Sequence, residues 1–302
     1  MRQIYKGKIT WVDITSPAQE DIDYLQKNYR FHPLILKELE TLTQRNKAEI
    51  YENYLFLVTH FPNWDSKKQT SLPWELDIII SAKVLVTVSY GEVCETHLEL
   101  TEKIYQKDFE KEHLTDTVKL LYFIFEHYLD FAARQLIHIQ EKINLIEEQI
   151  FQHKQQEVIP VLSFVKRDIL NFRRIFRYLK EDLASLNRRG PELFGENSKI
   201  YFDDMVGDSL RVENIIENFK DTLESLENTN NSLMEHKINV LTKIYTIISF
   251  ITWPTLLVIS MYQMNTLYLP FIGYRYDFFI VLAIAFMPSI LIYQYLKRKN
   301  LL

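Results

Sequence analysis

Acidic side chains are concentrated between Pro191 and Glu235. This stretch holds eleven acidic and three basic residues, a net charge of −8. The acidic residues are Glu192, Glu196, Asp203, Asp204, Asp208, Glu213, Glu217, Asp221, Glu224, Glu227 and Glu235. A solvated helix face accounts for most of them, but carboxylates at this density also gather cations. The stretch is therefore a candidate surface for attracting cations.

Other residue patterns exclude several kinds of chemistry. Cys94-x-x-His97 is half a zinc motif, but Cys94 is the one cysteine among 302 residues, so the pair is expected to be structural. No nucleophile, base and orienting residue form a recognisable set, and six glycines leave no phosphate-binding loop. A net charge of −5 argues against nucleic-acid binding. The chain is therefore not expected to be an enzyme, to use an organic cofactor or to bind nucleotides.

Two charge-free runs lie near the C-terminus. Residues Ile244–Met264 contain no charged residue across 21 positions, and Phe278–Leu296 contain none across 19. About 20 helical residues cross the roughly 30 Å of hydrocarbon in a bilayer. Membrane helices tolerate the prolines at 254 and 288. The two runs therefore predict transmembrane helices, although the mean hydropathy of the whole chain is only −0.15.

The basic residues around these runs predict their orientation. Lys237 and Lys243 precede the first run, and Lys297, Arg298 and Lys299 follow the second. The connector from Asn265 to Asp277 carries one basic residue, Arg275. Because basic residues stay on the cytoplasmic side, both termini are expected in the cytoplasm of a two-pass protein of the plasma or inner membrane.

The remainder of the chain changes character near residue 113. Short apolar strands alternate with helical stretches in residues 1–112, and Pro62-Asn63 and Tyr90-Gly91 are expected to be turns that bound strands. After that the pattern is helical. A coiled-coil seam is formed by Leu136, Ile139, Ile143, Ile146 and Ile150. A second helix, from about Val158 to Leu186, is expected to stop near 187–191, where Gly190-Pro191 breaks helices. A third is expected from about Ser198 to Met264.

These observations predict an α+β membrane protein. It comprises an N-terminal α/β cytoplasmic domain (1–112), a long helical stalk region (113–243) and a transmembrane region (244–302). The last region divides into spans 244–264 and 278–296, an outer loop 265–277 and a basic cytoplasmic tail 297–302.

Several motifs in this order resemble the CorA family of divalent-cation channels. In the N-terminal part they are WVDI at Trp11–Ile14, HPL at His32–Leu34, Arg45-x-Lys47-x-Glu49, YENY at Tyr51–Tyr54 and the LVTV strand. Near the membrane they are NVLTKIYTII at Asn239–Ile248, Trp253-Pro254 and Tyr262-Gln263-Met264-Asn265. The resemblance covers nearly the whole chain.

Two positions depart from the family pattern. The family has Gly-Met-Asn at the outer end of the first span, whereas this chain has Gln263-Met264-Asn265. The outer loop reads Leu269-Pro270-Phe271 where Met-Pro-Glu is common, so an acidic residue is missing. Glycine permits close packing and unusual backbone angles, so Gln263 demands more room or another helix ending. Both departures bear on ion selectivity and not on architecture.

The resemblance implies a homopentamer with one helix of each chain around the ion path. Asn265, with Tyr262, Gln263 and Met264, would form a selectivity mouth that offers amide oxygens to a hydrated cation. Trp253, Tyr245 and Asn239 fall at the family's pore and gate positions, where bulky side chains can close a pore by dewetting. Lys297, Arg298 and Lys299 would form a basic collar, although anchoring on the cytoplasmic side explains them equally well.

The family also places regulatory metal sites between neighbouring cytoplasmic domains. Asp204 matches the stalk side of such a site, with Asp203 and Asp208 as further candidates. Glu75 or Asp77 is a candidate facing partner. Carboxylates at a boundary between chains repel each other unless a cation bridges them.

The expected function is thus passive, potential-driven transport of a divalent cation, magnesium first, which is both cargo and regulator. Two alternatives stay open. One is a zinc or other transition-metal transporter of the related ZntB branch. The other is a non-conducting, membrane-anchored oligomer that senses cations, suggested by Gln263 and the missing loop acid. The partners expected are divalent cations, lipid and further copies of the chain.

Overall fold

The computed structural model of the chain describes residues 1–43, 45–65, 67–68, 70–104, 109–152, 154–265 and 269–299. The chain divides into two compact units, Met1–Glu227 and Asn228–Leu302. Each unit is described by itself. The predicted outer loop includes residues 266–268 and the predicted tail includes 300–302, which lie outside the described residues.

A six-stranded sheet forms the first half of unit 1. Its strands are β1 (Arg2–Lys6), β2 (Thr10–Thr15), β3 (Lys47–Ile50), β4 (Tyr54–Asp65), β5 (Thr70–Ser81) and β6 (Val84–Ser89). Their order across the sheet is β1-β2-β6-β5-β4-β3. β2 and β6 pair in parallel, and the other neighbours pair antiparallel. The strands are rich in β-branched and aromatic residues, which suit a pleated surface buried on both faces.

The expected turn at Pro62-Asn63 is wrong, because β4 runs through both residues to Asp65. Pro62 lies directly opposite Pro73 of β5. β3 pairs with β4 only as far as Val58, and β6 pairs with β5 only from Leu76 onwards. Both prolines therefore lie where no outer neighbour needs a backbone N–H donor, which is where a sheet tolerates proline. The expected turn at Tyr90-Gly91 is confirmed, since β6 ends at Ser89 and Gly91 has φ +70°.

Helices cover both faces of the sheet. The shorter ones are α1 (Gln19–Asn28), α2 (Pro33–Glu38), α3 (Glu95–Lys103) and α4 (Phe109–His113). α1 and α2 share an apolar core with one face, and the HPL motif starts α2, because His32 Nδ1 accepts from the Leu34 N–H and Pro33 occupies the first turn. On the other face, Phe61 of β4 stacks on Tyr128 of the long helix α5 (Thr117–Phe151).

Three long helices follow, namely α5, α6 (Gln155–Phe194) and α7 (Lys199–Tyr262), with a short 3-10 turn at Glu196–Ser198. The predicted seam of α5 is confirmed, because Leu136, Ile139, Ile143, Ile146 and Ile150 are all buried. Three ion pairs join α6 to α7 within unit 1. They are Lys166–Glu227, Arg173–Glu217 and Lys180–Glu213.

The predicted end of the second helix near residues 187–191 is wrong. α6 continues through Gly190 and Pro191 and ends at Phe194, followed by Gly195 at φ +87°. Gly190 stays helical because it makes room for the ring of Phe202, and a Cβ built on Gly190 would lie 2.4 Å from that ring. Pro191 lies in the last turn of α6, and its carbonyl accepts from the Gly195 N–H at 2.9 Å. Contact with α7 therefore outweighs the helix-breaking tendency of the dipeptide.

Unit 2 contains the end of α7 and helix α8 (Asp277–Arg298). Among the described residues, two helices are long and apolar enough to cross a membrane, and they end at Tyr262 and Arg298. The second charge-free run lies within α8, and the first lies within α7 except for its last two residues, Gln263 and Met264. The division into regions 1–112, 113–243 and 244–302 stays a prediction, as does the orientation in a membrane.

Candidate functional site

The signature Tyr262-Gln263-Met264-Asn265 lies where α7 ends. The Gln263 N–H donates to the carbonyls of Ile259 and Ser260 at 3.1 and 3.2 Å, and the Met264 N–H donates to Met261 at 3.3 Å. The chain thus leaves the helix through a tighter turn. Gln263, Met264 and Asn265 are exposed in the single chain, so the Asn265 amide is available to a ligand or to another copy.

One face of α7 in unit 2 packs against α8. Between residues 244 and 262, the half-buried residues of α7 are Ile247, Ile251, Pro254, Thr255, Val258 and Tyr262, which follow helical spacing. Thr255 Oγ1 lies 3.1 Å from the Ala285 carbonyl oxygen and 2.7 Å from Ser289 Oγ. Ala285 and Ser289 are the residues of α8 that are buried. The contact therefore fixes which side of α7 meets the second helix of the same chain.

The opposite face of α7 is uncovered. At about 100° per residue, Asn239 and Trp253 lie within about 40° of each other, and they point about 110° and about 150° away from the centre of the face that meets α8. Trp253 is 67% exposed and Asn239 is exposed. Thr246, a residue that sequence reasoning missed, shares this face, and its hydroxyl donates to the Thr242 carbonyl at 2.7 Å. Tyr245 is also exposed but lies about 80° from Trp253, so the structure does not align it with the other two.

The basic residues expected as a collar follow directly from α8. Lys297 and Arg298 form its last turn, and Lys299 is the residue that caps it. All three are exposed, and cations suit this end of a helix because its carbonyl groups carry partial negative charge. The helix dipole is sufficient to explain where these three residues lie. Their role as a collar around the pore stays a prediction.

In unit 1, the carboxylates of α7 face an acidic part of α5. Tyr122 of α5 donates to Asp204 Oδ2 at 2.8 Å, and Asn187 of α6 donates to Asp203 Oδ1 at 2.7 Å. Asp208 forms an ion pair with Arg211 at 3.2 Å. An open cavity of about 720 Å³ is lined by Asp203, Asp204 and Asp208 together with Tyr122 and Arg211.

The pKa values near this cavity show that negative charge is crowded there. Burial raises the pKa of Glu126, and Asp130 and Asp208 raise it further. Burial also raises the pKa of Asp208. Arg211 lowers this pKa, whereas Asp204 and Asp130 raise it further. Glu126 and Asp130 lie on α5, about 80 residues before Asp208, so no local motif in the sequence marks them.

The structure does not support the expected role of Glu75 and Asp77 as surface partners on a neighbouring chain. Asp77 is fully buried, and its Oδ2 accepts from the Tyr90 hydroxyl at 2.7 Å. Glu75 is 4% exposed and accepts from the Thr43 N–H at 2.8 Å. Burial raises the pKa of Asp77 well above its usual value. Both residues alternate with apolar positions on β5, so the sheet turns them into the interior of unit 1.

A polar chain continues from Glu75 to α6. Glu75 Oε2 lies 3.1 Å from His60 Nε2, and His60 Nδ1 lies 2.7 Å from Asn46 Oδ1. The Asn46 amide then donates to Asp182 Oδ2 at 2.6 Å. Burial and the nearby Glu181 raise the pKa of Asp182 to about 7, although the hydrogen bond from Asn46 opposes this.

We expect Asp182→Asn to flatten the pH dependence of stability. The folded-state pKa of Asp182 lies above its unfolded value, so the folded chain binds more protons between about pH 4 and 7. The free energy of unfolding therefore falls as pH rises through this window. Melting temperatures of the full-length protein in detergent at pH 5 and pH 8 measure the effect. Asp182→Asn should melt higher than the wild type at pH 8 and similarly at pH 5. The exposed Asp23→Asn is the control, and an equal pH response in both variants would contradict the prediction.

The described parts of the chain contain no group of three or more His, Cys, Asp or Glu side chains arranged to hold a metal ion. A cation site at Asp204 would therefore need ligands from water or from another copy. The Cys94-x-x-His97 pair is structural, as expected. Cys94 is buried, and His97 contacts Asp13 and Tyr128 through its two ring nitrogens.

A family model described as CorA-like Mg2+ transporter protein matches residues 6–298. This chain belongs to the CorA family. The match spans the sheet, the long helices and both apolar helices, so the predicted resemblance to this family along nearly the whole chain is confirmed.

Individual relatives support the assignment along the whole CorA fold. The chain is 26% identical over 293 residues to the cobalt/magnesium transport protein CorA of Thermotoga maritima, covering 96% of this chain and 83% of that protein. It is 25% identical to the putative metal ion transporter YfjQ of Bacillus subtilis, covering 91% of this chain and 84% of the relative. The complete structure of the CorA magnesium transporter from Methanocaldococcus jannaschii has a TM-score of 0.79 at 19% identity, covering 96% of this chain and 90% of that one.

The structure shows how a CorA chain accommodates glutamine at the first signature position. Among the described residues, positive φ angles occur at Ser16, Phe271, Gly91, Gly195 and Gly273, and Gln263 is not one of them. Its backbone follows a right-handed turn that any residue adopts. The Gln263 side chain is exposed in the single chain. Within one chain, the backbone of this helix ending therefore does not require a glycine at position 263.

Proposed function

We propose that this CorA chain transports divalent cations, magnesium first, through a pore lined by α7 of several copies. The observation that carries the proposal is the uncovered face of α7. α8 packs on the Thr255 side, while Asn239 and Trp253 stay exposed on the other. Copies that turn this face towards one axis would line the path with Trp253 within the apolar run and with Asn239 at its cytoplasmic end.

The pore requires an oligomer. Two membrane helices cannot enclose an ion path, so several copies must place the same face of α7 around an axis. The CorA resemblance implies five copies. α8 would then lie outside the α7 ring, because it covers the far side of α7.

Asn265 would form the mouth of this pore. Magnesium dehydrates reluctantly and keeps several waters, so a selective mouth should present oxygen atoms to a hydrated ion. The exposed amide of Asn265, three residues after the end of α7, is suited to this task. Gln263 and Met264 flank it, and the missing acid in the outer loop reduces attraction of cations at this end.

Trp253 would form a hydrophobic constriction deeper in the pore. A ring of bulky side chains excludes water when it narrows and so closes the path. Asn239 would lie on the cytoplasmic side of the constriction, where its amide can help an ion regain water. Tyr245 is exposed and could form a second constriction. It lies about 80° from Trp253 around α7, so the two side chains do not share one face of the helix.

Transport would be passive. A membrane potential of 100 mV supplies about 2.3 kcal/mol per charge, hence roughly 4.6 kcal/mol for a divalent cation. This is enough to drive entry without a nucleotide. A passive pore must close when the cell holds enough magnesium, so internal sensing is expected.

The Asp204 region would supply this sensing. Asp204 and Asp208 line an open cavity together with Tyr122 of α5, and crowded carboxylates there favour a bound cation. In Asp204→Asn, we expect that halving the influx requires an internal magnesium concentration at least about threefold higher than in the wild type. The reason is that one anionic ligand is lost. Liposomes loaded with graded magnesium measure this, with the exposed Asp221→Asn on the same helix as control. Unchanged inhibition in Asp204→Asn would contradict the sensing role.

The test of the proposed function is influx into liposomes containing the purified full-length protein and a magnesium-sensitive dye. An inside-negative potential should drive magnesium entry, and cobalt, nickel and zinc should be compared as competitors. Dominant zinc transport that depends on protons would favour the ZntB-like alternative. If the wild type shows no influx of any of these ions but Gln263→Gly does, the glutamine has closed the pore and the sensing alternative is favoured.

A further inference from the structure

A cavity of about 700 Å³ lies in unit 1 between the sheet and helices α5 and α6. Its lining includes Trp64 of β4, Phe131 and Lys142 of α5, and Asp168 and Phe172 of α6. It is separate from the Asp204 cavity and from unit 2. Nothing in the proposed transport path uses it.

Asp168 places a carboxylate in the wall of this cavity. The residue is 3% exposed. Its Oδ1 accepts from the Thr70 hydroxyl at 2.9 Å and from the Ser71 N–H at 2.8 Å. Its Oδ2 makes no hydrogen bond within the described residues. A buried carboxylate with a spare acceptor in the wall of an open cavity is suited to a cationic hydrogen-bond donor, because buried charges need partners.

The rest of the lining also favours an organic cation. Glu92, Glu95 and Glu141 lie along the cavity with Asp168, whereas Lys142 is the one lysine in its lining. The Lys142 ammonium lies 5.2 Å from the centre of the Trp64 ring. This distance is within the range of cation–π attraction, so the Trp64 ring already accommodates an alkyl ammonium from the chain itself.

We propose that this cavity binds an aliphatic amine with two or more ammonium groups. One ammonium donates to Asp168 Oδ2, and a second lies near Trp64 and the three glutamates of the cavity lining. The methylene groups between the two ammonium groups contact Phe131 and Phe172. A hydrated metal ion gains nothing from the aromatic wall, and the described residues provide no metal-ligand cluster here. The site goes beyond the proposed transport function and does not depend on it.

Lys142 competes with the ligand for Trp64 in this arrangement. Its removal should therefore strengthen binding, whereas removal of Asp168 or Trp64 should weaken it. General destabilisation of unit 1 would weaken binding in all of these variants. Stronger binding in one variant and weaker binding in the others would therefore point to the cavity itself.

The test is calorimetric titration of the full-length protein in detergent with 1,4-diaminobutane. Asp168→Asn, which can still accept from Thr70 and Ser71, should weaken binding at least about tenfold, because a charge-assisted hydrogen bond is lost. Trp64→Leu should weaken it about threefold or more, and Lys142→Met should strengthen it. Glu157→Gln, an exposed acid on α6 outside the cavity, should have no effect.

Any one of four results would overturn the proposal. The first is the absence of binding by the wild type, and the second is equal binding by Asp168→Asn. The third is equal binding of the uncharged 1,4-butanediol, which would show that the ammonium groups are not recognised. Displacement of the diamine by magnesium in the wild type, with magnesium binding lost in Asp168→Asn, would assign the cavity to a divalent cation instead and would also overturn it.

Discussion

Replacement of Asn265 by alanine is expected to reduce magnesium influx into liposomes by at least about tenfold. The amide is exposed three residues after the end of α7, in the Gln263-Met264-Asn265 segment that resembles the Gly-Met-Asn signature of the CorA family. A tenfold loss corresponds to about 1.4 kcal/mol. One hydrogen bond contributes about 0.5–1.5 kcal/mol, and a ring of identical chains loses one amide from every copy at once. The expected loss therefore exceeds the tenfold bound if several amides hold the hydrated ion together.

Two further variants separate a chemical role of Asn265 from a structural one. Asn265→Gln keeps the amide but moves it by one methylene group, so it should retain more influx than alanine does. Asn231→Ala removes an exposed amide from the same helix far from the signature and should leave influx unchanged. The elution volume of each variant in detergent reports whether the oligomer is intact. Wild-type influx that Asn265→Ala leaves unaltered would remove Asn265 from the mouth of the pore.

The membrane helices and the seam of α5 can be predicted because their signals are local. Charge-free runs of 21 and 19 residues are rare outside membrane helices, and they coincide with the two helices suited to a membrane. The repeat from Leu136 to Ile150 encodes one buried stripe on one helix, and every member is buried. In both cases the structure that the local sequence favours is the same as the one that the residues adopt in the fold.

Local propensity fails at Gly190-Pro191 and Pro62-Asn63 because contacts distant in sequence decide their conformation. The ring of Phe202 occupies the space beside Gly190, so a residue that usually weakens helices is required within one. Pro62 is tolerated because β3 has already ended beside it. The order of residues along the chain does not show which surfaces meet these dipeptides in the fold, so the turn and the helix end are both predicted wrongly.

The candidate sensing region around Asp204 also depends on contacts between residues that are distant in sequence. The resemblance to the CorA family suggests Asp204 as a candidate, but its neighbours Tyr122 and Glu126 come from α5, where no sequence motif marks them. Charge alone favours Asp77 as a surface ligand, whereas the register of β5 places it in the interior beside Tyr90. The alternation of β5 is a signal of this burial, since apolar Ile79 shares the same face as Asp77.

We expect His97→Ala to destabilise unit 1 by about 3–5 kcal/mol, because it leaves a buried carboxylate without one of its partners. His97 is 1% exposed, and its Nε2 lies 3.1 Å from Asp13 Oδ2. Its Nδ1 lies 2.7 Å from the Tyr128 hydroxyl, so the variant also leaves a buried hydroxyl and a cavity. For a unit of this size the loss corresponds to a fall in melting temperature of roughly 6–20 °C. Tryptophan fluorescence should report it, since Trp11 donates to Thr87 of the same network at 2.9 Å.

A second substitution distinguishes the lost charge partner from the lost volume. Asp13→Asn can still accept from the Thr87 hydroxyl, which lies 2.5 Å from Asp13 Oδ1, but it carries no charge. In the His97→Ala background it should recover part of the melting temperature, because no unpaired carboxylate remains. His138→Ala, at an exposed histidine of α5, should change it by no more than about 2 °C. If His97→Ala melts as His138→Ala does, or if Asp13→Asn adds its own loss instead of a recovery, the Asp13–His97 contact does not stabilise the sheet against α3.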